Sequence, residues 1–506
     1  MRKRKMGALS RRSFLGLTGA GLAAASLPAF RMSKGLYSAS PGANRLVDLA
    51  AGELAARIRN GEISSEEVVQ AHLERIEAVN SVLNAVVRLN ERALEQARAA
   101  DRALGAGQLV GALHGVPITV KDSHDVGGMV STGGTQGRAD YVPDASGTAV
   151  RRLQAAGAIV IGRTNTPELT LSFDTVNALY GRTWNPYDPI LTPGGSSGGA
   201  AAIIAASGSP LDLGSDTGGS IRLPSHFCGI AGIKPTSGRV PRTGHIISFD
   251  GLHQSLTQIG PMARTVDDLA LVLPLIAGPD GVDPHVAPVP LGDPAAVDVS
   301  ALRIAYHLDN GIVTPTGEIM ATVRTAARAM ESAAAEVTEA VPPGLLDYAV
   351  GTDGLWMGDE GSWARRILEA AGTVELSAEM ATGLEGREPI SSAELTRLLE
   401  LRDRFRSEAL GFWEQHDVLL CPVNAYPALK PGEWWEMIPA FSYTYLYNEL
   451  GWPGAVVRCG ATASGLPIGV QVLAAPWRED RCLAVARHLE REFGGWRPVE
   501  DALIVS

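Results

Sequence analysis

The chain is predicted to be an α/β protein: a single large domain on a twisted, mixed and mostly parallel sheet, with helices covering both faces. Three observations support this. Helical and strand-like segments alternate from about residue 44 onward. Apolar runs such as Ala158-Ile159-Val160-Ile161 match strands buried on both faces. No internal repeat or large low-complexity block interrupts the 506 residues. Repetition of strand, helix and strand places helices on both sides of parallel strands.

Taken in order, Leu46 to Arg59 reads as an amphipathic helix stopped by Gly61. Ser64-Ser65-Glu66-Glu67 is a capping box, after which Val69, Leu73 and Ile76 recur at helical spacing. A strand is expected over Ala85–Leu89, a helix over Glu91–Leu104 and a short β-branched strand at Ile118-Thr119-Val120. Ala149–Ala156 reads as a helix closed by Gly157. Residues 131–148 and 180–245 are rich in Gly, Ser, Thr and Pro, and loops that long in a compact domain usually carry function. The stretch Gly278–Pro294 reads as a connection, Leu302–Ala305 as a strand and Thr316–Ala335 as a helix. Residues 345–415 read as mainly helical, within a variable helical portion around 300–415.

Composition narrows the function classes. With 45% hydrophobic and 20% charged residues, the chain is not disordered, collagen-like or a disulfide scaffold. Lys+Arg 44 against Asp+Glu 55 gives a net charge of −11, which argues against nucleic acid as a partner. Only six of the cations are lysines: Lys3, Lys5, Lys34, Lys121, Lys234 and Lys430. In a chain that uses Arg for almost every surface charge, a lysine in the folded body is a candidate for work Arg cannot do, such as accepting a proton.

Residues 1–29 hold six cations and no acid, and end in an apolar run from Leu15 to Ala29. The order Ser10-Arg11-Arg12-Ser13-Phe14-Leu15 resembles a twin-arginine export signal, with Gly16 where such signals often have Lys. A disordered basic tail leading into a weak helix is the alternative. The run is too short to span a bilayer comfortably, and no Cys follows it to carry a lipid, so no stable membrane anchor is expected. The expected organisation is an export signal over 1–29, a linker over 30–43 and a catalytic domain over 44–506, in an exported, periplasmic or secreted protein. Loss of the six leader cations would take the net charge from −11 to −17.

Cys228, Cys421, Cys459 and Cys482 are widely spaced, with no C-x-x-C, and are expected to be buried free thiols. No paired-His or His-Glu-x-x-His spacing suggests a metal, and no cofactor is expected.

Three segments carry chemistry. Gly115-Val116-Pro117-Ile118-Thr119-Val120-Lys121-Asp122 sets a lysine at the end of a strand, where burial would lower its pKa and let it act as a base. Pairing with Asp122 is the plain alternative. Gly194-Gly195-Ser196-Ser197-Gly198-Gly199 enters an Ala-rich helix as a glycine turn. It also satisfies G-x-S-x-G, but three prolines among residues 185–193 argue against the buried strand that should precede a nucleophile elbow. Gly214-Ser215-Asp216-Thr217-Gly218-Gly219-Ser220-Ile221-Arg222-Leu223-Pro224 places two glycines before a serine, so that consecutive N–H groups can converge as an oxyanion hole.

Together with Phe227-Cys228-Gly229-Ile230-Ala231-Gly232-Ile233-Lys234-Pro235-Thr236, these segments resemble the amidase signature family of Ser–Ser–Lys hydrolases. The resemblance implies Ser220 as nucleophile, Ser196 as bridging serine behind a cis peptide, and Lys121 as base. It also implies an oxyanion hole from the N–H groups of Thr217, Gly218, Gly219 and Ser220. Ser197 and Asp216 are expected as supporting partners, with Asp216 and Arg222 paired. No role is given to His114, His124 or His226. The implied substrate is a small-molecule amide, with esters open to some members. Trp434, Trp435, Phe441, Tyr443, Tyr445, Tyr447 and Trp452 crowd one late segment and either pack the core or wall an acyl pocket. Two alternatives accompany the amidase: the glutaminase subunit of a tRNA-dependent amidotransferase, and an exported binding protein on an inactive amidase scaffold.

Overall fold

A computed structural model describes residues 45–500, apart from 250, 252–254, 352–358, 360 and 387–389. The expected export signal and linker lie outside the described residues. Thirteen strands form among the described residues: β1 (Val86–Leu89), β2 (Pro117–Lys121), β3 (Ile159–Thr164), β4 (Val176–Asn177), β5 (Gly181–Arg182), β6 (Leu211–Asp216), β7 (Ala231–Lys234), β8 (Gln258–Ala263), β9 (Arg303–Tyr306), β10 (Glu336–Glu339), β11 (Val418–Pro422), β12 (Gly454–Ala461) and β13 (Pro467–Ala474). Eleven make one sheet in the order β1-β3-β2-β6-β8-β7-β12-β13-β11-β9-β10, and β4 pairs only with β5.

The sheet is mixed, with helices on both faces. Parallel pairing forms two blocks, β3-β2-β6 and β11-β9-β10, where helices cross between neighbouring strands. Antiparallel pairs join the blocks through β8, β7, β12 and β13, so the centre is more antiparallel than the strand and helix alternation predicts. The physical reason is local: β12 and β13 are separated by a short turn around Gly465, and such a connection allows only an antiparallel neighbour.

Side chains alternate across each strand, and this sorts the core. Ile118, Val120, Val160, Leu211 and Leu213 face one layer with Leu54, Val150 and Leu269. Ile159, Ile161 and Met262 face the other, under Val69, Ile76 and the Ala-rich helix Gly198–Ala205. Thr119 and Lys121 therefore point toward that second layer. Every residue of Gly198–Ala205 is buried. A Cβ on Gly199 would lie 2.4 Å from the Asn165 backbone nitrogen, which is why glycine opens this helix.

The expected capping box is formed at helix Ser65–Leu83: Glu67 N–H donates to Ser64 Oγ at 3.1 Å, and Ser64 N–H to Glu67 Oε2 at 2.8 Å. Helices Leu345–Gly351, Ser362–Ala371, Ala378–Leu384 and Ser392–Leu410 account for the helical reading of 345–415. The edge strand β10 was not expected; its partly exposed Glu-Val-Thr-Glu carries little apolar signal. All four cysteines are buried free thiols.

Candidate active site

Lys121 closes β2 with no exposed surface. Its Nζ lies 2.6 Å from Ser196 Oγ, 3.0 Å from Ser197 Oγ and 3.1 Å from Ser215 Oγ. Burial drives the amine well below the usual lysine range, while the carboxylates of Asp216 and Asp212 only partly oppose it. The expected Asp122 pairing does not form: Asp122 accepts from Thr132 and from Arg163 Nε at 3.3 Å instead. Asp212, on the neighbouring β6, accepts from the Lys121 backbone N–H at 3.1 Å, and burial holds its carboxyl up to about 6.

The glycine turn brings the two other residues of the set together. Ser196 follows a cis Gly195–Ser196 peptide, as the resemblance implies. Ser197 donates its backbone N–H to the Ser220 carbonyl at 3.1 Å and its hydroxyl to the Ser215 carbonyl at 3.2 Å. Ser220 is 4% exposed and lines a cavity of about 310 Å³ together with Thr217 and Gly218. The Ser196 and Ser220 hydroxyls are not hydrogen-bonded to each other.

Asp216 organises the turn that presents Ser220. Its carboxylate accepts from Gly219 N–H at 2.9 Å, Ile221 N–H at 3.1 Å and Asn448 Nδ2 at 2.8 Å. The expected pair with Arg222 is bidentate, Nε and Nη2 each donating at 3.0 Å, and both side chains are fully buried. Burial pushes the Asp216 carboxyl up, but Arg222 and the other donors pull it well below the usual carboxylate range. Arg222 is held in turn by Gln471 Oε1 at 2.7 Å, the Thr444 carbonyl at 3.1 Å and Asn448 Oδ1.

This arrangement engages one of the four expected donors. Gly219 N–H donates to Asp216 Oδ1, and Gly219 is absent from the cavity wall that Thr217, Gly218 and Ser220 line. Gly219 serves the turn: its φ is 134°, and a Cβ there would sit 2.4 Å from Thr444 Oγ1.

The late aromatic cluster divides. Trp434, Trp435 and Tyr445 line the cavity, while Phe441, Tyr443, Tyr447 and Trp452 pack in the core. Phe173, Tyr348 and Trp363 join the lining from distant segments, without any periodic signal in their own sequence to mark them. Ser215, Thr444, Asn448 and Gln471 were also missed as site residues. Ser215 lies inside the third motif, but the other three reach the site only through tertiary folding. The three histidines make packing contacts: His226 Nδ1 accepts from Gly469 N–H at 2.8 Å, His114 Nδ1 from Val110 N–H at 3.2 Å, and His124 packs edge-on to His245 with centroids 4.9 Å apart.

The family model for amidases matches residues 67–483, which include all three motifs. The chain belongs to the amidase family. An acylamidase of Rhodococcus erythropolis is 33% identical over 478 residues, covering 90% of this chain and 98% of that protein. One of the subunits of the glutamyl-tRNA(Gln) amidotransferase from a Synechococcus strain is 36% identical over 465 residues, covering 86% and 95% respectively. Among solved structures, a 6-aminohexanoate cyclic dimer hydrolase superposes with a TM-score of 0.81 at 26% identity, covering 90% of this chain and 99% of that one. As a member of this amidase family the chain is an enzyme, a hydrolase with amide substrates, which sets aside the inactive binding scaffold.

Proposed function

We propose that the chain cleaves the carbon–nitrogen bond of a small or medium amide, through a Ser–Ser–Lys triad and an acyl-enzyme. The observation that carries this reading is the fully buried Lys121 amine 2.6 Å from Ser196 Oγ. A neutral amine has two N–H donors and one lone pair. Ser197 gives its own proton to the Ser215 carbonyl, so toward Lys121 its oxygen accepts. Ser215 Oγ takes the second N–H, and the lone pair is left for the proton of Ser196.

In the first half-reaction Lys121 accepts the Ser196 proton as Ser196 accepts that of Ser220, and Ser220 Oγ bonds to the substrate carbonyl carbon. The bridging contact between the two serines tightens with substrate in place, since catalytic hydrogen bonds in unliganded sites are often long. Negative charge on the carbonyl oxygen is taken by the N–H groups of Thr217, Gly218 and Ser220. Ser196 then protonates the departing nitrogen and takes back the proton held by Lys121, the C–N bond breaks, and water cleaves the acyl-serine ester by the same relay. Asp216 and Arg222 position the turn without touching the reacting atoms.

The test is turnover of a panel of amides and esters by the wild type and Ser220→Ala. Product from the wild type alone is expected; equal rates in both would remove the mechanism. A second reading is favoured by the likeness to the glutamyl-tRNA(Gln) amidotransferase chain. Glutaminase assays with and without the other amidotransferase subunits decide it, and glutamine turnover that appears only with those subunits would replace the first reading.

We also infer, from the basic and apolar order of residues 1–29, that the protein is exported and processed. Sequencing the N-terminus of protein from the periplasm or medium should find the leader removed. An intact Met1 recovered only from the cytosol would refute export.

A further inference from the structure

The cavity beside Ser220 is lined by three carboxyls, Asp359, Glu379 and Glu449, and by no Lys or Arg among the described residues. Two of the three are provided for. Asp359 accepts from the backbone N–H groups of Trp363 at 2.8 Å and Gly361 at 3.1 Å, and Glu449 lies in the field of Arg402 and Arg406. Glu379 differs. Its Oε2, like that of Glu449, is buried without a hydrogen-bond partner among the described residues, but the one cation there that acts on the Glu379 carboxyl, Arg182, is already bound to Asp174.

The backbone fixes where Glu379 looks. It stands on helix Ala378–Leu384, anchored by Met380 and Leu384 in a cluster with Leu169, Ile247 and Trp363. Residues four apart share a helix face, and a Cβ on Gly383 would lie 3.6 Å from the Trp435 ring. Glu379 therefore shares the face turned to the aromatic wall. There Trp434 stacks on Trp435 with centroids 3.9 Å apart, and Phe173 meets Trp434 edge-on at 5.6 Å. Burial holds the Glu379 carboxyl up to about 7; Ser172 and Arg182 oppose that rise and Asp174 adds to it. A carboxylate set in an apolar wall without a counter-charge is costly until a cation arrives.

We propose that Glu379 selects substrates whose acyl group ends in an ammonium, with the carboxylate taking the charge and the Trp434, Trp435 and Phe173 rings flanking the methylenes that carry it. This deepens the amidase reading and rests on it. Carboxylate supplies a charge-assisted hydrogen bond, and aromatic faces attract the same cation without needing desolvated partners of their own.

The experiment compares two anilides of equal length, ω-aminopentanoyl and hexanoyl, which differ only in a terminal ammonium or methyl. In wild type, kcat/KM should favour the amino substrate. In Glu379→Gln that preference should fall about tenfold or more, chiefly through a raised KM for the amino substrate, and Glu379→Asp should restore part of it. Calorimetric titration of both anilides into Ser220→Ala and Ser220→Ala/Glu379→Gln reads binding without turnover. Charge-selective binding that depends on Glu379 supports the proposal even if neither anilide is hydrolysed, an outcome that would count against the amidase reading instead. Equal binding of the two anilides, or a preference that survives Glu379→Gln, overturns it.

Discussion

The backbone N–H of Ser197 donates to the carbonyl of Ser220 at 3.1 Å, so the loop that carries Ser196 and the turn that carries Ser220 are tied by a bond between their own backbones. The Ser197 hydroxyl adds a second tie, to the Ser215 carbonyl, while it accepts from Lys121. Ser197 is thus the joint through which the three motifs meet.

Ser197→Ala keeps the backbone tie and removes the hydroxyl. Activity is expected to fall about tenfold or more, as when a group orienting a reactive residue is lost, with a stability cost of about 1–3 kcal/mol for the buried polar groups left unpaired. Steady-state kinetics and denaturant unfolding check the two effects separately.

In the proposed mechanism Lys121 sets the pH profile. Because burial lowers its pKa, the neutral base persists to lower pH than an exposed lysine allows, and kcat/KM should rise with pH through an acid limb well below 10.5. A profile that rises only around the ordinary lysine pKa would contradict this. Lys121→Arg should be inactive across the range, since a guanidinium cannot give up its proton.

Asp216→Asn leaves the fully buried Arg222 without its counter-charge and should cost about 3–5 kcal/mol, seen as a lower denaturation midpoint. The sign of the pH effect follows from the depressed carboxyl: its contribution is complete above the unfolded value and is lost as pH falls through the folded one. Wild type should therefore lose stability in acid more steeply than Asp216→Asn.

Gly219→Ala puts a methyl group against Thr444 and forces a side chain onto a left-handed backbone. The expected result is a fall in kcat of about tenfold or more, because displacement of the turn misplaces Ser220 rather than weakening substrate binding. A variant with wild-type kcat would show that the turn tolerates the shift.

Much of this was legible in local sequence. The capping box at Ser64, the strand ending in Lys121, the glycine turns at 194–199 and 214–220, and the Asp216 and Arg222 pair all depend on residues within a few positions of one another, where spacing and backbone preference speak directly. The central antiparallel pairings were less legible, because alternation of strand and helix does not say which strands become neighbours. The same limit hid β10, whose short polar run resembles a loop.

By itself, then, the sequence determined the family and the candidate residues: a lysine, two serines and a set of glycine turns in an order that resembles one hydrolase family. Only the tertiary structure decided which backbone donors remain free, that Gly219 serves the turn, and that Thr444, Asn448 and Gln471 hold it from more than two hundred residues away. It also decided which aromatics wall the cavity and that, among the described residues, Glu379 stands with them without a counter-charge of its own. Hydrogen-bond occupancy and charge pairing are properties of groups brought together across the chain, and the linear spacing of residues carries no record of which group reaches a donor first.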